Sequence, residues 1–141
     1  MKTKKLVFLL CMLFSMWATN ALAYDFAVKN SDGVMIYYNY NSNKTAVYVT
    51  YKSGYVNETD NGYSGSVAIP KEITYNNKTL KVTGIGEHAF QVCQGLTSIK
   101  IPSSVTCIDE SAFEDCIKLT SITIPTALKA LETGLSLVAQ V

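Results

Sequence analysis

The second half of the chain contains two copies of one 23-residue motif. Residues 82–104 read VTGIGEHAFQVCQGLTSIKIPSS, and residues 105–127 read VTCIDESAFEDCIKLTSITIPTA. Thirteen of the 23 aligned positions are identical, which indicates an internal repeat. If the copies stack as successive coils about 4.8 Å apart, matched apolar residues form one continuous core. These matched pairs are Ile85 and Ile108, Phe90 and Phe113, Cys93 and Cys116, Leu96 and Leu119, Ile99 and Ile122, and Ile101 and Ile124.

Each copy carries the local signals of a strand and a turn. In the first copy, Leu96, Ile99 and Ile101 are spaced as in a short strand, and Pro102 ends it. Upstream, residues 87–93 place apolar groups three apart, which predicts a helical turn on the other side of the coil. A strand, a turn, a helical turn and a return form a leucine-rich repeat. The sequence therefore predicts a β-rich α+β fold with a leucine-rich repeat solenoid of two full 23-residue repeats.

The motif V-T-x-I-x-x-x-A-F-x-x-C-x-x-L-T-S-I-x-I-P resembles the BspA-type leucine-rich repeat of bacterial secreted and cell-surface proteins. The match covers residues 82–127 closely, and residues 67–70 (VAIP) echo residues 99–102 (IKIP). The longer spacing in this opening half-repeat, residues 67–81, predicts a hairpin around Asn76 and Asn77. The resemblance implies an extracellular interaction protein, with adhesion to host proteins as the family's best-known role. It implies no catalytic residues.

The repeats occupy residues 67–127. The sequence on each side of them predicts a cap. Residues 24–66 hold three runs in which apolar and polar residues alternate, separated by turn clusters, which predicts an antiparallel β meander. We interpret this region as the N-terminal cap of the first coil, because two repeats alone are too few for a stable array. Residues 128–141 lack the motif, and their apolar residues recur at helical spacing. They are either a C-terminal capping helix or the remnant of a shortened array.

The N-terminus has the three parts of a secretory signal peptide. Three lysines precede the apolar run of residues 6–17, and Ala21-Leu22-Ala23 forms a small-x-small cleavage site. The apolar run is shorter than the roughly 20 residues that span a bilayer. We expect residues 1–23 to be removed by cleavage after Ala23, leaving no membrane span and a secreted or cell-surface protein.

Composition argues against several classes of function. After cleavage the chain keeps nine lysines and eleven acidic residues, a net charge of −2, and it has no arginine. Such a chain offers little to a phosphate backbone, which argues against nucleic acid as a partner. The one histidine, His88, aligns with Ser111 in the second copy, so no repeated ligand set predicts a metal. Asp109 and the acids after it are expected on a solvated face. We predict no enzyme activity, no cofactor and no metal.

The inward cysteines, Cys93 and Cys116, align between the two copies. At coil spacing their Cα atoms would lie within the range that a disulfide tolerates, about 4.4–6.8 Å. Export makes that bond possible. A buried, unpaired pair is the favoured alternative, since free cysteine packs as a small hydrophobic residue.

Two surfaces are candidate binding sites. The first, called the strand face below, would contact a surface or extracellular protein of the host matrix or of a neighbouring cell. Its residues are Thr97, Ser98, Lys100, Thr120, Ser121 and Thr123. The second is the tyrosine-rich N-terminal region, where Tyr55 and Tyr63 could stack on the sugars of a glycan. A structural or truncated family member without its own ligand is the third interpretation.

Overall fold

The computed structural model describes residues 24–52, 62–125 and 128. The predicted signal peptide, Tyr55 and nearly all of the predicted C-terminal helix lie outside these residues. The described part is β-rich and contains no helix, and therefore none that is long and apolar enough to cross a membrane. The strands are β1 Phe26–Lys29, β2 Met35–Tyr40, β3 Ala46–Thr50, β4 Ser64–Ala68, β5 Glu72–Tyr75, β6 Lys78–Ile85, β7 Gly95–Lys100, β8 Cys107–Ile108 and β9 Ser121–Thr123.

The first sheet begins with the antiparallel meander that the sequence predicts. Strand β1 pairs with β2, and β2 pairs with β3, both antiparallel. Alternation along β3 directs Val47 and Val49 into the core, where both are fully buried, and leaves Tyr48 half-buried on the other face. Beyond β3 the sheet continues with β6 and then β5, and β8 also pairs with β6.

The predicted hairpin of the opening half-repeat is present between β5 and β6. These strands pair antiparallel, with Tyr75 opposite Lys78. Asn76 and Asn77 form the two-residue turn and have φ angles of 49° and 60°. Asparagine is among the residues that adopt this left-handed conformation most readily, and such turns match the twist of the paired strands.

The repeats stack through parallel strand pairs on two sheets. In the first sheet, β3, β6 and β8 pair in parallel. In the second, β4, β7 and β9 pair in parallel, with Val67 beside Ile99 and Ile99 beside Ile122. The Ile99 to Ile122 pair is 23 residues apart in sequence, so the structure confirms the register of the two copies. It also confirms that residues 67–70 correspond to residues 99–102.

The segment between the two strands of a coil is a run of tight turns, so the predicted helical turn is wrong. The amide of Gln91 donates to the carbonyl of His88, and left-handed φ angles of 57° occur at both His88 and Val92. These residues break a right-handed helix and direct other amides toward the next coil. The amides of Phe90 and Val92 each donate across the coils at 2.8 Å, to the carbonyls of residues 112 and 114. The segment therefore extends the stacking between coils.

The core is a stack of aromatic and aliphatic side chains enclosed by the coils. The rings of Phe90 and Phe113 are parallel within 6°, with centroids 5.3 Å apart. Tyr63 extends this stack on the other side, 4.6 Å from Phe90. Cys93 and Cys116 are buried beside the stack, and no disulfide joins them. Matched residues of the two copies thus extend one core, as the repeat predicts, except at the last pair, where Ile101 is buried but Ile124 is 44% exposed.

Candidate functional site

The strand face is the outward surface of the parallel sheet β4-β7-β9. Ser98 on β7 lies beside Ser121 on β9, and Lys100 lies beside Thr123. On the other side of β7, Ser66 of β4 lies beside Ser98, and the two hydroxyl groups are 2.8 Å apart. The exposed side chains of Lys100 and Thr123 therefore belong to one row across adjacent strands.

Thr97 and Thr120 form a further matched pair, with Thr97 on β7 and Thr120 directly before β9. The amide of Thr120 donates to the carbonyl of Thr97 at 3.0 Å, and the Thr120 hydroxyl approaches the same oxygen at 3.3 Å. Both threonines are exposed. Five of the six strand-face residues thus lie on one sheet, with Thr120 directly before β9. Together they offer hydroxyl groups and one ammonium group for hydrogen bonds to a partner.

Tyr63 lies in the core, so the prediction that its ring stacks on a sugar is wrong. The side chain has no exposed surface. Its hydroxyl donates to the Thr50 carbonyl at 2.9 Å and accepts from the Tyr37 amide at 3.1 Å, which ties the ends of β2 and β3 together. Burial raises the pKa of the phenol well above its usual value. Tyr55, the other predicted glycan contact, lies outside the described residues.

An open cleft of about 280 Å³ lies where the parallel strands β3, β6 and β8 end. Tyr51 follows β3, Glu87 and His88 follow β6, and Asp109 follows β8. We name it the strand-end cleft. The side chains that line it belong to Asn39, Tyr48, Tyr51, Glu87, His88 and Asp109, and Thr50 and Gly86 complete the lining.

Backbone hydrogen bonds that continue beyond the strands fix the cleft. The amide of Gly86 donates to the Val49 carbonyl at 2.8 Å, and the amide of Asp109 donates to the Ile85 carbonyl at 2.9 Å. Next to these residues, Nε2 of His88 lies 3.1 Å from a carboxylate oxygen of Glu87. This contact sets the direction of the imidazole at the edge of the cleft.

Gly86 of the first repeat makes room for the Tyr48 ring. A Cβ atom on Gly86 would lie 3.0 Å from Cδ2 of Tyr48, whereas one on Gly84 would be in ordinary contact with the Tyr48 Cβ, at 3.6 Å. The second copy carries Cys107 and Asp109 at the matching positions. This difference was the sequence signal for the cleft, because a residue with a side chain at position 86 would press on the ring.

The sequence placed Asp109 on a solvated face and did not connect it with His88. Asp109 is exposed, as that expectation requires, whereas His88 is half-buried, and the parallel strands bring both to one cleft. Within the described ranges, no group of three histidine, cysteine, aspartate or glutamate side chains is arranged to hold a metal ion. The chemistry that the cleft offers is hydrogen bonding together with aromatic contact.

Comparisons with known proteins agree with this architecture. No curated protein was found to match the sequence. Among solved structures, a leucine-rich repeat protein from Bacteroides ovatus is similar to 75% of this chain, with 38% identity and a TM-score of 0.61. A leucine rich cell surface protein from Faecalibacterium prausnitzii is similar to 72% of the chain, with 26% identity and a TM-score of 0.51. A T. pallidum leucine-rich repeat protein is similar over 72%, with 24% identity and a TM-score of 0.55.

The chain is much shorter than these solved relatives. It spans 25% of the Bacteroides ovatus protein, 24% of the Faecalibacterium prausnitzii protein and 42% of the T. pallidum protein. A family model for a BspA type leucine rich repeat region of six copies matches residues 65–135, half of the chain. The match includes both 23-residue copies and the strand that pairs with the first of them. The chain belongs to the BspA-type leucine-rich repeat family.

Proposed function

We propose that this protein is exported and binds another protein through the strand face, at the bacterial surface or in the surrounding medium. The observation that carries the proposal is the in-register row of exposed polar side chains across adjacent parallel strands, with Lys100 beside Thr123. Such a row is flat and presents hydrogen-bonding groups at the fixed spacing of the strands, about 4.8 Å. Membership of a leucine-rich repeat family supports a protein partner.

Export and adhesion are the finer parts of this proposal. The signal-peptide pattern of residues 1–23 supports export, and the similarity to a leucine rich cell surface protein of Faecalibacterium prausnitzii agrees with it. The parallel pairing of the 23-residue copies supports a short solenoid with the meander as its cap. Adhesion to a host matrix protein or to a neighbouring cell would then use the strand face.

The test begins with protein expressed from the full sequence and purified after export. N-terminal sequencing checks the proposed cleavage after Ala23. The purified protein is then titrated against a panel of immobilised extracellular matrix proteins. The variant Lys100→Glu with Thr123→Glu places two like charges on adjacent strands of the strand face, and we expect it to weaken the saturable binding at least about tenfold, or about 1.4 kcal/mol.

The matched control carries the same substitutions on the other sheet. Lys78→Glu with Thr74→Glu changes two exposed strand residues by the same charge on β6 and β5. This control should bind within about twofold of the unmodified protein. Equal weakening by both pairs would place the contact elsewhere. A folded protein that binds no member of the panel would instead favour a structural family member without its own ligand.

A further inference from the structure

We propose that the strand-end cleft binds a neutral sugar ring, such as one hexose unit of a glycan. This site is separate from the strand face and does not depend on the protein-binding role proposed above. The sequence suggested Tyr55 and Tyr63 as sugar contacts. The cleft uses neither of them, and Tyr63 is buried.

The size of the cleft suits one ring. Its volume of about 280 Å³ lies just below the roughly 300–1,000 Å³ of sites that hold drug-sized molecules. The cleft is open to solvent on one side, so a sugar within a longer chain could enter it without threading. Tyr48 and Tyr51 are both half-buried, and partly exposed phenol rings offer rigid amphipathic contact area at a small entropic cost.

The polar groups of the cleft match those of a polyol. Each sugar hydroxyl both donates and accepts, so its site needs groups of both kinds. Glu87 and Asp109 offer carboxylate acceptors, while the phenol hydroxyls have donors as well as acceptors. A cation would use only the acceptors of this set. The mixed set therefore favours a neutral hydroxylated ligand over an ammonium or guanidinium group.

The charge of the cleft also excludes the acidic sugars. Its lining contains two carboxylates and no lysine, so the carboxylate of a uronic or sialic acid would meet repulsion. The backbone at the ends of β6 and β8, from which these carboxylates project, is held by the hydrogen bonds of the Gly86 and Asp109 amides. A backbone held in this way reduces the ordering that binding requires.

The cleft lies between the meander and the first repeat, and Asp109 of the second repeat also belongs to its lining. Gly86 of the first copy corresponds to Asp109 of the second, and a Cβ atom on Gly86 would already crowd the Tyr48 ring at 3.0 Å. Tyr48 itself comes from the meander and not from a repeat. The site therefore forms where the meander meets the first coil, and one sugar per chain is expected there.

The experiment is an NMR titration of isotope-labelled protein expressed from the full sequence and purified after export. The probes are glucose, galactose, mannose and N-acetylglucosamine, with sodium glucuronate and arginine amide for comparison. Saturable shifts of the Gly86, His88 and Asp109 amides with a neutral sugar support the proposal. They should persist when sodium chloride rises from about 50 to about 500 mM, since a neutral ligand has no charge to screen.

Variants connect the response to the lining side chains. Glu87→Gln with Asp109→Asn, and separately Tyr51→Ala, should raise the Kd for the sugar at least about tenfold. The matched control, Glu72→Gln with Asp32→Asn, changes two exposed acids elsewhere and should leave the Kd unchanged. The strand-face variant with Lys100→Glu and Thr123→Glu should also keep sugar binding, which separates this site from the protein-binding proposal.

Two results would overturn the proposal. One is the absence of cleft shifts with every neutral sugar while the spectrum shows a folded protein. The other is a cleft response to arginine amide alone that fades as salt rises, which would assign the cleft to a cationic group.

Discussion

Tyr63 and Tyr38 are both fully buried, but their hydroxyl groups have opposite surroundings. The Tyr63 hydroxyl donates to the carbonyl of Thr50 and accepts from the amide of Tyr37, so it bridges β2 and β3. For the Tyr38 hydroxyl, no hydrogen-bond partner is found among the residues that the structure describes. Replacing each tyrosine with phenylalanine removes a single oxygen atom, so the two variants form a matched pair.

The hydrogen bonds determine the expected magnitudes. Tyr63→Phe leaves the Thr50 carbonyl and the Tyr37 amide without the bridging hydroxyl, and a buried group left unsatisfied costs about 1–3 kcal/mol. Because Tyr37 and Thr50 are register partners, a direct bond could recover part of this loss. We therefore expect a loss of about 2 kcal/mol. Tyr38→Phe removes a buried polar group, so the free energy of unfolding should stay the same or rise by up to about 1 kcal/mol.

Equilibrium unfolding in urea, followed by far-ultraviolet circular dichroism, measures both free energies. Tryptophan fluorescence is unsuitable because the one tryptophan, Trp17, lies in the predicted signal peptide. The comparison requires equal m-values, so that the change reflects stability and not a different unfolded state. Equal losses in the two variants, or a larger loss for Tyr38→Phe, would refute the assignment of the bridging role to the Tyr63 hydroxyl.

Three further perturbations test other features. Burial raises the pKa of Tyr38 and Tyr63 above its usual value. The unfolded chain therefore ionises first as pH rises, and the free energy of unfolding should fall above about pH 10, by up to about 1.4 kcal/mol per pH unit for each phenol. Urea unfolding at several alkaline pH values should show a shallower fall in Tyr38→Phe. A Cβ atom on Gly84 would lie 2.7 Å from Sγ of Cys107, so Gly84→Ala should lose about 1–3 kcal/mol. Adding Cys107→Ala should reduce that loss in a double-mutant comparison, and an unchanged loss would locate the strain elsewhere. Burial raises the pKa of both Cys107 and Cys116, that of Cys116 to about 11, but Cys107 is partly exposed whereas Cys116 is buried. Iodoacetamide followed by peptide mass mapping should therefore detect modification of Cys107 first.

The register between the two repeat copies was predictable because it depends on local patterns that occur in both. Ile99 and Ile122 occupy the same place in two copies, and stacking of the copies makes them neighbours. The hairpin at Asn76 and Asn77 was predictable for a similar reason, since an asparagine pair between two alternating runs matches the chemistry of a two-residue turn. Both inferences need only short-range information and a known spacing.

The turn segment was not predictable from spacing alone. Apolar residues three apart fit a helical turn, but they also fit successive tight turns in which an amide bonds the carbonyl three residues earlier. The choice depends on the φ angles of His88 and Val92. Histidine adopts a left-handed conformation more often than most residues, but valine does so rarely, and the hydrogen bonds that favour this conformation come from the next coil. That information is tertiary.

The burial of Tyr63 and the strand-end cleft were unpredictable from the sequence for the same reason. The residues before Tyr63 in sequence are polar and typical of a loop, and only the stacking of the coils shows that its ring lies on Phe90. The cleft combines residues from position 39 to position 109 across parallel strands. Parallel pairing brings together residues far apart in sequence, so no window of sequence contains the site.

The two copies agree and differ for separate physical reasons. A side chain enclosed between coils, such as Phe90 against Phe113, must pack on its own counterpart, and this requirement holds the inward positions to one residue type. Outward positions have no such requirement. Each proposed site includes one position where the copies differ: Lys100 lies beside Thr123 on one sheet, and Gly86 corresponds to Asp109 on the other. Thr97 and Ser98 of the strand face are repeated as Thr120 and Ser121. The inward positions therefore specify the stacking, and the outward positions, whether identical or different, determine what each coil can bind.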